Sequence, residues 1–342
     1  MSEAREVAFW VGRIPVRNRV LAAPMCGSSK VPYRQMATRF GADLVFTEMV
    51  KARPLVEGSR KTLELLVSGP SESNLGPQIC GADEGLMARA ALALEELGFP
   101  LVDINMGCPV KKIVREGAGS ALLTDPRRVE AMVRACARAV SVPVTVKIRS
   151  GWDADGRATA DELARAAEAG GARLLTIHGR ARSKRHEGEV DEDALGRAKA
   201  AVSIPVVANG GVTTGEGAAR LLAATGCDAV MIGRGAHGRP WLFRDAARAL
   251  AGLAPLGPPD PVERCGLARE HLDGMVGLMG AHGVLAFRKM AGWYLDDPRE
   301  AALLDRAYRT SDPDAMRALL AECAARRAAG SGENERAALA LR

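Results

Sequence analysis

Eight short β-rich runs recur along the first 245 residues, each followed by a polar or glycine-rich turn and then a helical pattern. They fall near residues 19–24, 43–47, 75–80, 101–106, 143–149, 173–178, 204–208 and 228–233. A strand that returns through a helix pairs in parallel with the next strand, and eight such units over about 240 residues close into a (β/α)8 barrel. A doubly wound sheet alternates in the same way, but it rarely needs eight repeats and usually opens on a G-x-G-x-x-G turn, which the first run lacks. The expected fold is α/β, a TIM barrel over residues 1–250.

The stretch "GLAPLGPPDP" (252–261) holds four prolines in ten residues and reads as a linker, residues 251–260. Beyond it, helical patterns near 261–280, 283–296, 299–309 and 312–328 come without a strand candidate. They predict a small all-helical bundle over 261–329, and residues 330–342 read as a loosely ordered tail. With 342 residues, 47% of them apolar, the chain can bury both cores. Aromatics are only 4%, so those cores must be built mainly from Ala, Val, Leu and Ile.

Composition also removes several functional classes. No apolar run approaches the ~18 residues of a membrane span, and the opening "MSEAREVAFW" carries acidic residues rather than an apolar leader. A cytoplasmic monomer is expected. The seven cysteines are scattered, include no C-x-x-C pair and are odd in number, so neither a metal site nor a disulfide framework is expected. The net charge of +6 is uneven: residues from 260 onward carry −1, so the barrel region carries +7. A basic surface of this kind suits a nucleic acid, although a solvated surface alone also accounts for it.

In a (β/α)8 barrel the chemistry sits where strands end and the following loops begin. Those positions read Pro24-Met25-Cys26, Glu48, Gln78, Asn105 with Cys108, Lys147, His178, Asn209-Gly210-Gly211 and Gly233-Arg234. The glycines after strands seven and eight let backbone N–H groups approach an anion at helix N-termini. Either pair alone suits an ordinary turn, but two in register, with Arg234 beside them, favour a phosphate. Lys147 has the inward parity of strand five, where a cation needs an anionic partner such as a reduced flavin ring. A lysine reaching out to the rim is the competing reading. His178 shares that parity, and Gln78 offers an amide that both donates and accepts.

Cys108, two residues past strand four, overhangs the same mouth. A metal ligand would need partners at suitable spacing, which are missing. A nucleophile would need a thiolate and a paired base. A general acid needs a protonated thiol, the form a cysteine takes below its reference pKa of about 8.5. Lys111, Lys112 and Arg115 favour a thiolate, or else bind phosphates of a large substrate.

The stretch "VDINMGCPVKKIVREGAGSALL" resembles the signature of the tRNA-dihydrouridine synthases, a flavoenzyme family. "VPVTVKIRSGW", "LLTIHGRAR", "PVVANGGV" and "VMIGRGAHGRPW" follow in family order, and the likeness spans residues 12–296. Within the family the chain is most similar to the bacterial type often labelled B. The resemblance implies an FMN-bearing barrel, a helical tRNA-binding domain, and reduction of a specific uridine in tRNA with NADPH as electron source. It implies that Cys108 is the proton donor. Pro24, Met25, Cys26, Gln78, Lys147, His178, Asn209, Gly210, Gly211, Gly233 and Arg234 match flavin contacts or neighbours, and Asn105 matches a residue close to the uracil. Lys111, Lys112, Arg115, Arg180, Arg182, Arg288 and Lys289 then become tRNA contacts. A barrel flavoenzyme acting on a free pyrimidine or another small enone is the alternative, one that needs neither helical domain nor basic mouth. The chain departs from the family pattern at Lys30 (commonly aspartate), Cys26 (alanine), Gly211 (aspartate), His186 (tyrosine) and Met290 (histidine).

Overall fold

The computed structural model describes residues 6–153, 158–185 and 187–340, with side chains as far as residue 329; His186 lies outside the described residues. The chain forms two compact units. One contains the residues through Lys30, Arg34–Gly235 and Leu242–Pro255, and the other contains Val31–Tyr33, Ala236–Trp241 and the chain from Leu256 onward.

In the first unit, β1 (Phe9–Val11) and β2 (Ile14–Val16) form an antiparallel hairpin. Its two-residue loop starts at Gly12, whose φ of +60° is left-handed backbone that suits glycine. The remaining strands are β3 (Val20–Ala22), β4 (Val45–Phe46), β5 (Val50–Lys51), β6 (Leu75–Gly76) and β7 (Gln78–Cys80), then β8 (Val102–Asn105), β9 (Val144–Arg149), β10 (Leu174–His178), β11 (Val206–Asn209) and β12 (Ala229–Ile232). A parallel eight-membered sheet runs in the order β3-β12-β11-β10-β9-β8-β7-β5. The ring closes because Leu44 bridges Leu21 in parallel and β4 pairs with β6. This is the expected TIM barrel, with two local differences. The third strand breaks at Pro77, which has no N–H to give the ladder, while its carbonyl still accepts from the Asp103 N–H at 2.9 Å. The two-residue β5, paired with β7, was not foreseen.

Return helices include Glu84–Glu96, Pro126–Ala139, Ala160–Gly170, Glu192–Ala200 and Gly215–Thr225. Asp83, Asp125, Asp191 and Thr214 accept at their N-termini, and Thr159 with Glu162 forms a capping box. Two helices also start the strand that comes next. Glu95 Oε1 accepts from Ser141 N (2.8 Å), Ser141 Oγ (2.5 Å) and Val142 N (3.0 Å). Glu168 does the same for Ser203 and Ile204 ahead of β11.

The barrel interior is layered. Leu21, Leu44, Phe46, Leu101, Leu174, Val207, Ala229 and Met231 pack with Val11, Ile14 and Val16 of the hairpin in one cluster. The hairpin therefore plugs the end of the barrel where strands begin, and each such side chain contributes about 1.5–3 kcal/mol by leaving water. Toward the other end the same inward parity turns polar, at Gln78, Asp103 and Thr145 and then at Asn105 and Lys147.

In the second unit, helices Pro261–Met279, His282–Tyr294, Ala301–Arg309 and Pro313–Ala340 enclose a core that includes Leu272, Met275, Phe287, Tyr294, Leu303, Met316 and Leu320. Met290 is 1% exposed in that core, so this departure from the family pattern is a packing residue. Asp260 accepts from Val262 N and Glu263 N and starts the first of these helices with Pro261. The last helix runs through Ala340, beyond the expected end at 328; its alanines and charged residues favour helix enough to carry Gly330 and Gly332 at about 1 kcal/mol each. Among the described residues no helix is long and apolar enough to cross a membrane.

Candidate active site

The site is built where the polar layer meets the loops. Cys108 leaves β8 on a turn held from three sides. Its N–H and that of Gly107 donate to Asn105 Oδ1 at 3.0 and 3.1 Å. Its carbonyl accepts from Ser120 Oγ (2.9 Å) and Ser120 N (3.1 Å). Arg149 Nε donates to the Gly107 carbonyl at 2.8 Å. The half-buried thiol packs against Cys80, Ile113 and Ala118. Two other sulfurs lie close, and both thiols are held toward the protonated form. Burial, with some help from Cys108, pushes the Cys80 thiol up to about 12. Burial and then the Glu48 carboxylate raise Cys26.

Arg149, which the sequence pattern did not single out, holds the backbone around this turn. The residue is 3% exposed, and its guanidinium donates to backbone carbonyls, including Arg185 O at 2.5 Å and Gly107 O. Burial pulls it down to about 10, with Cys108 opposing that fall. The signal was its inward parity on β9, shared with Lys147. Asp103 was missed too, and inward parity was again its signal.

Lys147 Nζ donates to Asn209 Oδ1 at 2.9 Å, and Asn209 Nδ2 in turn donates to Met231 O at 2.8 Å. Burial first, then the charge of Arg149, bring Lys147 down to about 8, against the pull of Asp103. Gln78 is 1% exposed and bonded on both sides, its Nε2 to Asp103 Oδ2 (2.7 Å) and its Oε1 to Asn105 Nδ2 (2.8 Å).

A second cluster forms at the ends of β10, β11 and β12. Gly210 and Gly211 have φ of +124° and +71°. A Cβ on Gly210 would lie 3.1 Å from His178 Cδ2 and 3.2 Å from Arg180 Nη1, so the absent side chain is what keeps the space open. Arg180 Nη1 lies 3.3 Å from His178 Nε2, and Arg180 is held down by burial and by the neighbouring charge of Arg234. Arg180, Val190, Gly210, Gly211 and Arg220 line a cleft of about 760 Å³ together with Glu189, Asp191, Glu192 and Asp193, and Arg220 is paired with Glu192 at 2.7 Å. Apart from that ion pair, Arg180, with the charge of Arg234 beside it, and the bare backbone of Gly210 and Gly211 form a cradle of donors of the kind a phosphate takes. Gly233, close to Ala23 and Met25, joins the Pro24–Cys26 turn to this side of the mouth.

Other sequence candidates lie around this framework. Lys111, Lys112 and Arg115 are exposed on the short helix after Cys108. Arg182 stacks over Trp152 with its guanidinium carbon 4.2 Å from the ring centre. Lys30 forms an ion pair with Glu48 at 3.0 Å, and Glu48 also accepts from Gly27 N at 2.8 Å. Arg288 and Lys289 belong to the helical unit. There Arg288 donates to Thr310 O (2.5 Å) and Arg309 O (3.1 Å), while Lys289 is exposed. Among the described residues no cluster of His, Cys, Asp or Glu gathers as metal ligands.

Fold and site together define a closed (β/α)8 barrel with a cysteine, a half-buried lysine and a glycine-rich turn flanked by arginines at one mouth. The chain belongs to the dihydrouridine synthase (Dus) family, whose model it matches over residues 20–329. tRNA-dihydrouridine synthase B of Pasteurella multocida is 39% identical over 306 residues, covering 89% of this chain and 92% of that protein. The protein of the same name from Pseudomonas syringae pv. tomato is 43% identical over 292 residues, covering 84% of this chain and 86% of its own. Among solved structures, histamine dehydrogenase from Rhizobium sp. 4-9 superposes with a TM-score of 0.53 at 12% identity. That match covers 82% of this chain and 50% of the dehydrogenase, and it shows the likeness of fold alone.

Proposed function

We propose that this chain is an oxidoreductase that reduces a uridine of tRNA to 5,6-dihydrouridine, with FMN bound in the barrel mouth and NADPH as electron source. The observation that carries the reading is the Cys108 turn, fixed at the lip of the mouth that also holds Lys147 and the phosphate cradle. When bound and reduced, FMN supplies a hydride to uracil C6. Cys108 gives its thiol proton to C5, so that the C5=C6 double bond becomes a single bond with one hydrogen added at each carbon. Asn105, Ser120 and Arg149 keep that thiol at the lip. Lys147 would offer the flavin a positive charge, and Asn209 orients that ammonium. Gly210, Gly211, Gly233 and Arg234, with His178 and Arg180, take the phosphate, and Pro24, Met25 and Cys26 close the other side. Gln78 acts from below, through Asn105.

A uridine has to leave its stack to reach such a depth. The cations Lys111, Lys112, Arg115, Arg180 and Arg182 hold the surrounding RNA backbone. The barrel, residues 1–250, carries the chemistry, and the helical residues 261–329 bind tRNA.

Cys108→Ala tests the assignment. It should bind FMN and accept electrons from NADPH as the parent does, while single-turnover oxidation by tRNA falls by about 10²–10⁴-fold, the contribution of a positioned acid. Oxidation by tRNA at the parent rate would remove Cys108 from the role. Colourless protein that takes up no FMN would remove the function.

A further inference from the structure

We infer that Asp103 is the positioning residue for the Cys108 acid, an assignment that rests on the function proposed above. Asp103 lies on β8, 2% exposed, one inward position below Asn105. Its Oδ1 accepts from Thr145 Oγ1 at 2.6 Å and its Oδ2 from Gln78 Nε2 at 2.7 Å. Gln78 Oε1 accepts from Asn105 Nδ2 at 2.8 Å, and Asn105 Oδ1 accepts from the N–H groups of Gly107 and Cys108. A continuous chain of hydrogen bonds thus joins a carboxylate on the barrel axis to the backbone of the acid.

Asp103 is the acceptor that anchors the near end of that chain and matches its direction. A side-chain amide can sit either way round, with its oxygen and nitrogen exchanged. An ionised carboxylate only accepts, so Gln78 must turn its NH2 toward Asp103 and its oxygen toward Asn105. Asn105 must then turn its NH2 to Gln78 and its oxygen to the Cys108 turn. Backbone N–H groups only donate, so the far end demands the same polarity. One arrangement satisfies every group, and it holds Cys108 in place. Burial raises Asp103 to about 6, while the hydrogen bonds from Thr145 and Gln78 and then the charge of Lys147, which faces it, oppose the rise and favour the carboxylate.

Asp103 also sits near Lys147, and the test separates the two effects. Asp103→Asn and Asp103→Leu both remove the charge facing Lys147, but only Asn keeps an acceptor for Gln78. In the full-length FMN protein, both variants should keep the flavin spectrum and the parental rate of flavin reduction by NADPH. Unmodified tRNA should bind each with a Kd close to the parent's. Single-turnover oxidation at saturating tRNA should fall about 100-fold in Asp103→Leu, the scale of an ångström of misplacement, and less than about tenfold in Asp103→Asn. If Asp103→Leu does not fold, Asp103→Glu carries the test: it keeps the charge but places the acceptor one methylene away, and it should be slowed at least about tenfold. Equal rates for Asn and Leu, a parental rate in Glu, or flavin loss in both neutral variants would overturn the assignment; flavin loss would tie Asp103 to Lys147 instead. A parent protein whose reduced flavin is not oxidised by tRNA would overturn the function as well.

Discussion

An ammonium enclosed by strand side chains titrates early, and Lys147 is such a group. Its pKa of about 8 lies below the ordinary lysine value because burial and Arg149 disfavour the charge. The cation is therefore essentially complete by about pH 7, half lost near pH 8 and gone above it, about 2.5 units before an exposed lysine would discharge. FMN affinity should be flat to about pH 7.5 and then weaken by up to about tenfold per unit as the proton must be regained on binding. Lys147→Met should bind more weakly at pH 7 and show no such slope, which fluorescence titration of FMN would measure. Single residues were legible in the sequence where they stood at strand ends in a motif, as Cys108 and Lys147 did. Arg149 and Asp103 carried only the signal of inward parity, because the bonds they make to backbone and amides appear once the neighbouring strands are placed.

At the scale of elements, the eight barrel strands were visible through short β-branched runs between turn residues, and that is how the ring of strands could be foreseen. The break at Pro77 came from a residue in plain view, but its result, a ladder that skips one donor, needs the neighbouring strand to be placed. The β1–β2 hairpin escaped because three-residue strands carry too little alternation to read. The helical unit divides a pair the sequence treated together. Arg288 donates to the last carbonyls of helix Ala301–Arg309, where a cation also meets the negative end of the helix dipole. Arg288→Ala should lower stability by about 1 kcal/mol in urea unfolding. Lys289→Ala should leave unfolding unchanged and weaken tRNA binding; the opposite pattern would assign RNA contact to Arg288.

For the molecule as a whole, charge is concentrated in the barrel region, +7 before residue 260 against −1 from there on. Affinity for tRNA should therefore fall linearly in log–log plots against salt, with a slope that counts neutralised phosphates. Replacing both Lys111 and Lys112 by Ala should reduce that slope by about 1.5, at roughly 0.7–0.9 per contact, and leave FMN binding untouched. An unchanged slope would mean that these lysines only solvate the surface. The hairpin stopper adds a constraint of another kind. With Val11, Ile14 and Val16 wedged into the floor, the barrel is a blind vessel with one doorway. On the proposed function, the reactant that brings electrons and the RNA that takes them away would use that doorway in turn, so each should delay the other, and a surplus of either one should slow the turnover it feeds.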